Sequence, residues 1–270
     1  MLGSDLVPCL EKAGYQARVL DLPEFDLTNP EHIETKLAGV DAVVNCAAFT
    51  SVDKAEEMPE TAMRVNGDAV GLLGKWARKN NVYIIQISTD FVFDGGSSRP
   101  YLETDVPRPI SVYGNSKLKG EELLKQSGCH SSIMRVQWSY GKHGINFVSK
   151  LLERAKNGGE LKVVNDQAGA PTWTFDMSRA ICCLLGKRSE GIFHFANTGY
   201  ASRFEVAQFV GRTLGLVNPV IPCSSSEFSM KAIRPENSRF CIAKIQKIID
   251  HKIRPWEEAL SAFLKQTALN

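Results

Sequence analysis

Two side chains four residues apart carry the first chemical signal in this chain. Tyr113 and Lys117, in YGNSK (113–117), stand at helical spacing, so both project from one face with Cβ atoms about 6 Å apart. A free phenol has a pKa of about 10 and exchanges protons poorly at neutral pH. An ammonium beside it favours the phenolate and lowers that pKa, and it can also hold a ribose. ISTD (87–90) ends an apolar run 24 residues before Tyr113. Its Thr89 offers a hydroxyl that can hydrogen-bond a carbonyl oxygen. Phenol, ammonium and hydroxyl together suit hydride transfer to or from a carbon bearing oxygen. Y-x-x-x-K also arises by chance on exposed amphipathic helices. Here it opens a predicted helix and follows a strand end, which favours the catalytic reading.

The elements that must position these groups alternate. ARVLDL (17–22), DAVVNCAA (41–48), YIIQIST (83–89) and SSIMRVQW (131–138) read as strands. The second is apolar on both faces, as a buried parallel strand is. Asn29-Pro30 reads as a helix cap with proline in the first turn. Helical patterns run over about 54–79 and 111–126. Strand, helix, strand, helix predicts an α/β fold, a Rossmann-type doubly wound parallel sheet with right-handed crossovers. Later segments, with strands at 162–166 and 192–197 and helices near 145–156, 174–185, 203–214 and 255–265, predict a smaller C-terminal substrate lobe. The expected division is 1–140 plus about 160–200 for dinucleotide binding, and about 141–159 and 201–270 for the lobe.

Composition narrows the classes. The chain has 270 residues, 43% of them hydrophobic, enough for a large core. Its net charge of +2 balances 32 basic against 30 acidic residues. That balance predicts no nucleic-acid or anionic-membrane partner. The apolar runs are too short to span a bilayer, and no secretory signal is visible. Seven scattered cysteines without C-x-x-C, and five histidines without an H-x-x-x-H pair, predict no metal site and a reducing, cytoplasmic setting.

The first residues, MLGSDLVPCL, place a glycine at the start of a helix over 4–13. In a doubly wound sheet a glycine-rich turn joins the central first strand to the first helix. Gly3 fits the last glycine of that turn, and the strand and the earlier glycines apparently lie ahead of the sequence. The expectation is a chain shortened by about ten residues; a chain truly starting at Met1 would bind its cofactor weakly and be poorly stable. An acidic residue is expected about 20 residues after the turn. Asp21 stands there, and its carboxylate leans toward NADH over NADPH.

Longer motifs add a resemblance. DLT (26–28), VVNCAAFTSVDKAEE (43–57), ISTDFVFDG (87–95), VYGNSKLKGE (112–121), RVQWSYG (135–141), NDQAGAPTW (165–173) and RPENSR (234–239) run from end to end. On these the chain resembles the extended short-chain dehydrogenase/reductase superfamily and, within it, the dTDP-4-dehydrorhamnose reductase family. The resemblance implies reduction of the 4-keto group of dTDP-4-dehydro-6-deoxy-L-mannose by NADH or NADPH. It implies that Tyr113 is the proton donor, Lys117 tunes it and binds the nicotinamide ribose, and Thr89 holds the keto oxygen. Asp90 and Trp138 would contact the sugar. Asp26, Leu27, Ala47, Ala48, Phe49, Thr50 and Ile87 would line the adenine and ribose path, with Met1, Leu2 and Gly3 at the phosphate turn.

Arg234 and Arg239 bracket RPENSR, within a 231–254 stretch holding seven basic and two acidic residues. Guanidinium groups there suit a pyrophosphate, or form a solvated basic face. NDQAGAPT reads as the chain's return to the main domain, with Pro171 shaping a turn. Two other readings stay open. One is a non-catalytic regulatory subunit like that of methionine adenosyltransferase; the other is a 4-keto reductase of another nucleotide deoxysugar. Some relatives form homodimers with Mg²⁺, and no residue cluster here decides either point.

Overall fold

The computed structural model describes residues 1–268. Four parallel strands form the main sheet: β1 (Ala42–Asn45), β2 (Tyr83–Thr89), β3 (Ser131–Val136) and β4 (Gly191–Phe195), side by side in that order. Period-two alternation sends their side chains to two cores. Ile84 and Ile133 face Leu73, Trp76 and Leu124 on one side. Ile85, Met134 and Phe193 face Leu6, Ile181 and Leu184 on the other. Both faces are therefore covered, as the doubly wound class requires.

A third core gathers Tyr140, Leu151, Leu161, Trp173, Val210, Trp256 and Phe263. Helices Phe147–Lys156, Arg203–Leu214 and Trp256–Ala268 supply most of it, with a small parallel pair of strands, Leu161–Val164 and Val220–Cys223. After Asn165 two short strand pairs follow, outside the main sheet. Ala168–Gly169 pairs with Ala201–Ser202, and Thr172–Trp173 pairs with Ser139–Tyr140. Helix Thr174–Lys187 then buries Met177, Ile181 and Leu184 under the main sheet.

Three expectations need correction. Residues 17–22 form no strand. No neighbouring strand pairs with them among the described residues, and an extended segment without ladder partners is not a strand. Arg18 instead ties this segment to the carbonyls of Lys36 and Ala38. The single helix expected over 54–79 is broken into Val52–Glu57, Pro59–Met63, a widened π turn Arg64–Asp68, and Ala69–Asn80. Pro59 lacks an amide hydrogen to continue the first piece and starts the second. Finally, the first helix spans Leu2–Lys12, so Gly3 lies inside its first turn, not ahead of it.

Candidate active site

The carboxyl end of β2 delivers Thr89 and Asp90. The Thr89 hydroxyl donates to Asp90 Oδ1 at 2.9 Å and accepts from the Phe91 amide at 3.2 Å, starting a single 3₁₀ turn. Helix Val112–Ser127 brings Tyr113 and Lys117 to the same place. Ser111 caps it, accepting from the Gly114 amide at 3.1 Å, and Glu56 accepts from the Val112 amide at 2.9 Å. Gly114 lets the helix seat closely: a Cβ there would sit 2.2 Å from the Phe91 carbonyl oxygen. Tyr113 packs edge-on to the Phe91 ring, centroids 5.4 Å apart.

Beneath this helix lies a buried polar layer that sequence reading missed. Glu121 accepts from Arg135 Nε at 2.9 Å and Nη2 at 2.7 Å, and from the Ser88 hydroxyl at 2.6 Å. The pair is almost wholly excluded from solvent. Charges buried this way persist only when paired and hydrogen-bonded. The layer joins the helix, β2 and β3 behind the site. Asn66, from the π turn, adds a clamp: it exchanges hydrogen bonds with the Phe49 backbone and donates to Ser116 at 2.9 Å. Both sets join residues distant in sequence, so no local pattern announces them.

The titration of the pair differs from the sequence expectation. Burial pushes the Tyr113 phenol up to about 12, and hydrogen bonding with the Thr89 hydroxyl works against this, while the negative charge of Asp90 adds to it. Lys117 does not lower it. Its Nζ donates to the Ile87 carbonyl at 2.7 Å, and burial pulls its own pKa down to about 8, against the attraction of Glu121 and Cys46. Desolvation is therefore the largest cause at both groups, reinforced by charge at Tyr113 and opposed by it at Lys117. Asp90 is also held up by burial, against the Ser238 and Thr89 hydroxyls; its Oδ2 makes no hydrogen bond of good geometry among the described residues.

The other expected residues divide. Ala47, Ala48, Phe49 and Thr50 form the loop leaving β1, its course fixed by Asn45 and Asn66. Ile87 is the less buried residue of β2 and gives its carbonyl to Lys117. Met1, Leu2 and Gly3 start a helix whose leading amides have no side-chain cap. Such an end can take an anion. Asp21 sits in an exposed turn, its carboxylate accepting from the Leu22 amide at 2.8 Å, and not at the strand end on which the NADH argument rested. Asp26 accepts from the amide and hydroxyl of Thr28, which draws its pKa down, and Leu27 is buried with Ile33 and Leu37. Both shape the entry to helix Pro30–Lys36.

On the opposite side, Trp138 follows β3 with a left-handed backbone, φ +44°. The Arg203 guanidinium stacks on its ring, 3.7 Å from the centroid. No sequence motif pointed to Arg203. Arg234 is anchored on Asp53, 2.7 Å, and its charge reaches Arg203. Arg239 turns elsewhere: it donates to Asn237 Oδ1 and to the Ser98 carbonyl, each at 2.8 Å, and holds that loop. The structure thus brings Thr89, Asp90 and Tyr113 together with Lys117 on the same strand end, and Arg203, stacked on Trp138, within reach of the Asp90 charge. A separate trio, Cys183, Asp250 and His251, holds its potential ligand atoms within 4.8 Å of one another, away from these groups.

A parallel sheet covered on both faces, with a strand-end threonine and a helical Tyr-x-x-x-Lys at its carboxyl edge, defines a Rossmann-type protein of the short-chain dehydrogenase/reductase kind. Comparison with known proteins narrows the class. The family model described as "RmlD substrate binding domain" matches residues 1–269, and the chain belongs to that family. A dTDP-4-dehydrorhamnose reductase of Sinorhizobium fredii is 37% identical over 89% of this chain and 86% of its own. The crystal structure of a dTDP-4-dehydrorhamnose reductase from Clostridium acetobutylicum superposes with a TM-score of 0.95, at 33% identity, over 99% of this chain and 96% of that one. That of a dTDP-4-dehydrorhamnose reductase from Bacillus anthracis, in complex with NADP, gives 0.94 at 31% identity, over 98% and 95%.

Proposed function

We propose that this chain reduces the 4-keto group of dTDP-4-dehydro-6-deoxy-L-mannose to give dTDP-L-rhamnose. The observation that carries the reading is the meeting of the Thr89 and Tyr113 hydroxyls at the end of β2, with Lys117 anchored on the Ile87 carbonyl of the same strand. When bound, a nicotinamide dinucleotide supplies the hydride. The uncapped amides at Leu2 and Gly3 and the 47–50 loop suit its phosphates and adenosine. The buried Lys117 ammonium suits a ribose hydroxyl. We assign Trp138 and the 201–270 segment to the sugar nucleotide, with Arg234 toward its diphosphate.

The proton balance follows from the site. As hydride reaches the keto carbon, negative charge grows on the oxygen. Thr89 donates a hydrogen bond to that oxygen, turning from Asp90. Tyr113 is fully protonated at neutral pH because burial holds its pKa high, so it is ready as a general acid. It transfers its proton to the alkoxide, completing the alcohol, while the Lys117 ammonium, held on the Ile87 carbonyl, keeps donors for the cofactor ribose.

The test is an NADH- and NADPH-oxidation assay with the keto sugar, with NMR identification of the product. Expected is cofactor oxidation matched mole for mole by dTDP-L-rhamnose. No turnover, together with tight binding of another protein, would instead favour the regulatory-subunit reading. Among the described residues no helix is long and apolar enough to cross a membrane.

A further inference from the structure

Arg203 is the first residue of helix Arg203–Leu214. A capping box sets where that helix starts: Ser202 Oγ accepts from the Glu205 amide at 3.1 Å, and Glu205 Oε2 accepts from the Ser202 amide at 2.7 Å. The direction in which Arg203 leaves the helix is thereby fixed. Its guanidinium lies 3.7 Å from the Trp138 ring centroid and 5.0 Å from that of Phe147. Trp138 is itself fixed. A Cβ on Gly169 would come within 2.6 Å of Trp138 Cε2, so the indole packs directly on that glycine backbone. The planar cation is therefore held by stacking, a geometry that an ammonium would not reproduce.

Arg203 feels Asp90 through charge, not through a hydrogen bond. Asp90, 3% exposed, keeps Oδ2 without a hydrogen bond of good geometry, although the Ser238 hydroxyl is near. A buried acceptor without a well-aligned donor is costly, and it stands beside a cation whose donors it does not bind. Asp90 directly follows Thr89, so both groups border the place where the keto carbon would sit. A group that donates to Asp90 and accepts from Arg203 would complete both. A sugar hydroxyl does both, whereas a phosphate oxygen would be repelled by the carboxylate.

We infer that Arg203, stacked on Trp138 opposite Asp90, is a specificity-determining residue that reads the hydroxyls of the hexose ring. This deepens the reductase reading and rests on it, so its test includes a binding arm independent of turnover. Calorimetric titrations of the full chain would use dTDP-L-rhamnose and dTDP as probes, with wild type, Arg203→Met and Arg203→Lys. Loss of charge-assisted hydrogen bonds predicts about 10-fold or more weaker binding of dTDP-L-rhamnose to Arg203→Met. Binding of dTDP is expected within about 3-fold of wild type, because both states lack the sugar contact. In the kinetic arm, KM for the keto sugar rises in step while kcat stays within about 3-fold.

Arg203→Lys retains charge and stem, so it guards against misfolding, and it is expected to restore less than half of the lost affinity. Equal loss for dTDP and dTDP-L-rhamnose would overturn the inference by placing Arg203 on the diphosphate. So would an unchanged dTDP-L-rhamnose affinity in either folded variant. Failure of wild type to turn over the keto sugar while still binding dTDP-L-rhamnose would sink the reductase reading alone.

Discussion

Tyr113 and Lys117 stand one helical turn apart, and burial moves their pKa values away from each other instead of leaving a phenolate beside an ammonium. With the phenol near 12 and the lysine near 8, Tyr113 stays protonated through the working range while Lys117 titrates just above it. The ammonium is needed to hold the cofactor ribose, so its loss must slow the reaction. We predict that kcat/KM for keto reduction is level from about pH 6 to 7.5 and falls above about pH 8 with one-proton dependence. Lys117→Arg should move the falling limb well beyond pH 9, because a guanidinium keeps its proton. An identical limb in that variant would remove Lys117 from the profile. Thr89, Tyr113 and Lys117 were legible in the sequence because helical spacing and a strand end are local signals. Arg203 was not, since nothing in ASRFEV marks a side chain that meets Trp138 only after the chain has folded.

At the scale of elements, the site depends on how closely helix Val112–Ser127 approaches the end of β2. Gly114 permits that approach, and a methyl group there would collide with the Phe91 carbonyl oxygen at 2.2 Å. Because the obstacle is backbone, the helix start must shift, and Tyr113 is the residue next to it. Gly114→Ala is expected to lower unfolding free energy by about 2 kcal/mol in urea titrations and to reduce kcat. Wild-type stability with wild-type kcat would show that the approach is not needed. β2, β3 and this helix were readable as elements because their apolar periods are long and regular. The expected strand at 17–22 failed because pairing, not composition, makes a strand. Pro59 is the local mark of the break in the 54–79 helix, set within an otherwise helical apolar period.

Across the whole molecule, the buried layer behind the site sets an acid limit. His194, on β4, is fully enclosed: its ring stacks on Phe240 at 4.0 Å, Nδ1 contacts the Tyr101 carbonyl, and Nε2 lies 3.5 Å from Arg135. Burial, with Arg135 adding to it, holds its pKa at about 3, below the unfolded value of 6.5. Above pH 6.5 the ring is neutral whether the chain is folded or unfolded, so its contribution is complete. Between pH 6.5 and about 3 the unfolded chain binds a proton that the folded one refuses. Stability should then fall by up to about 1.4 kcal/mol per pH unit from this group. Denaturant melts between pH 6.5 and 5 should show that slope in wild type and lose it in His194→Phe; equal slopes would exclude His194. The order of elements was legible from the sequence. Contacts such as Asp53 with Arg234, which bring the 230s beside the site, depend on tertiary packing and were not.

The central claim is that the Tyr113 hydroxyl is the proton source for the new alcohol. Comparing single-turnover rates of the keto sugar in wild type and Tyr113→Phe tests it most directly, since the variant keeps the ring and its contact with Phe91. The account predicts a fall of about 100-fold or more with cofactor and sugar-nucleotide affinities little changed. A variant that reduces the sugar at the wild-type rate would contradict it.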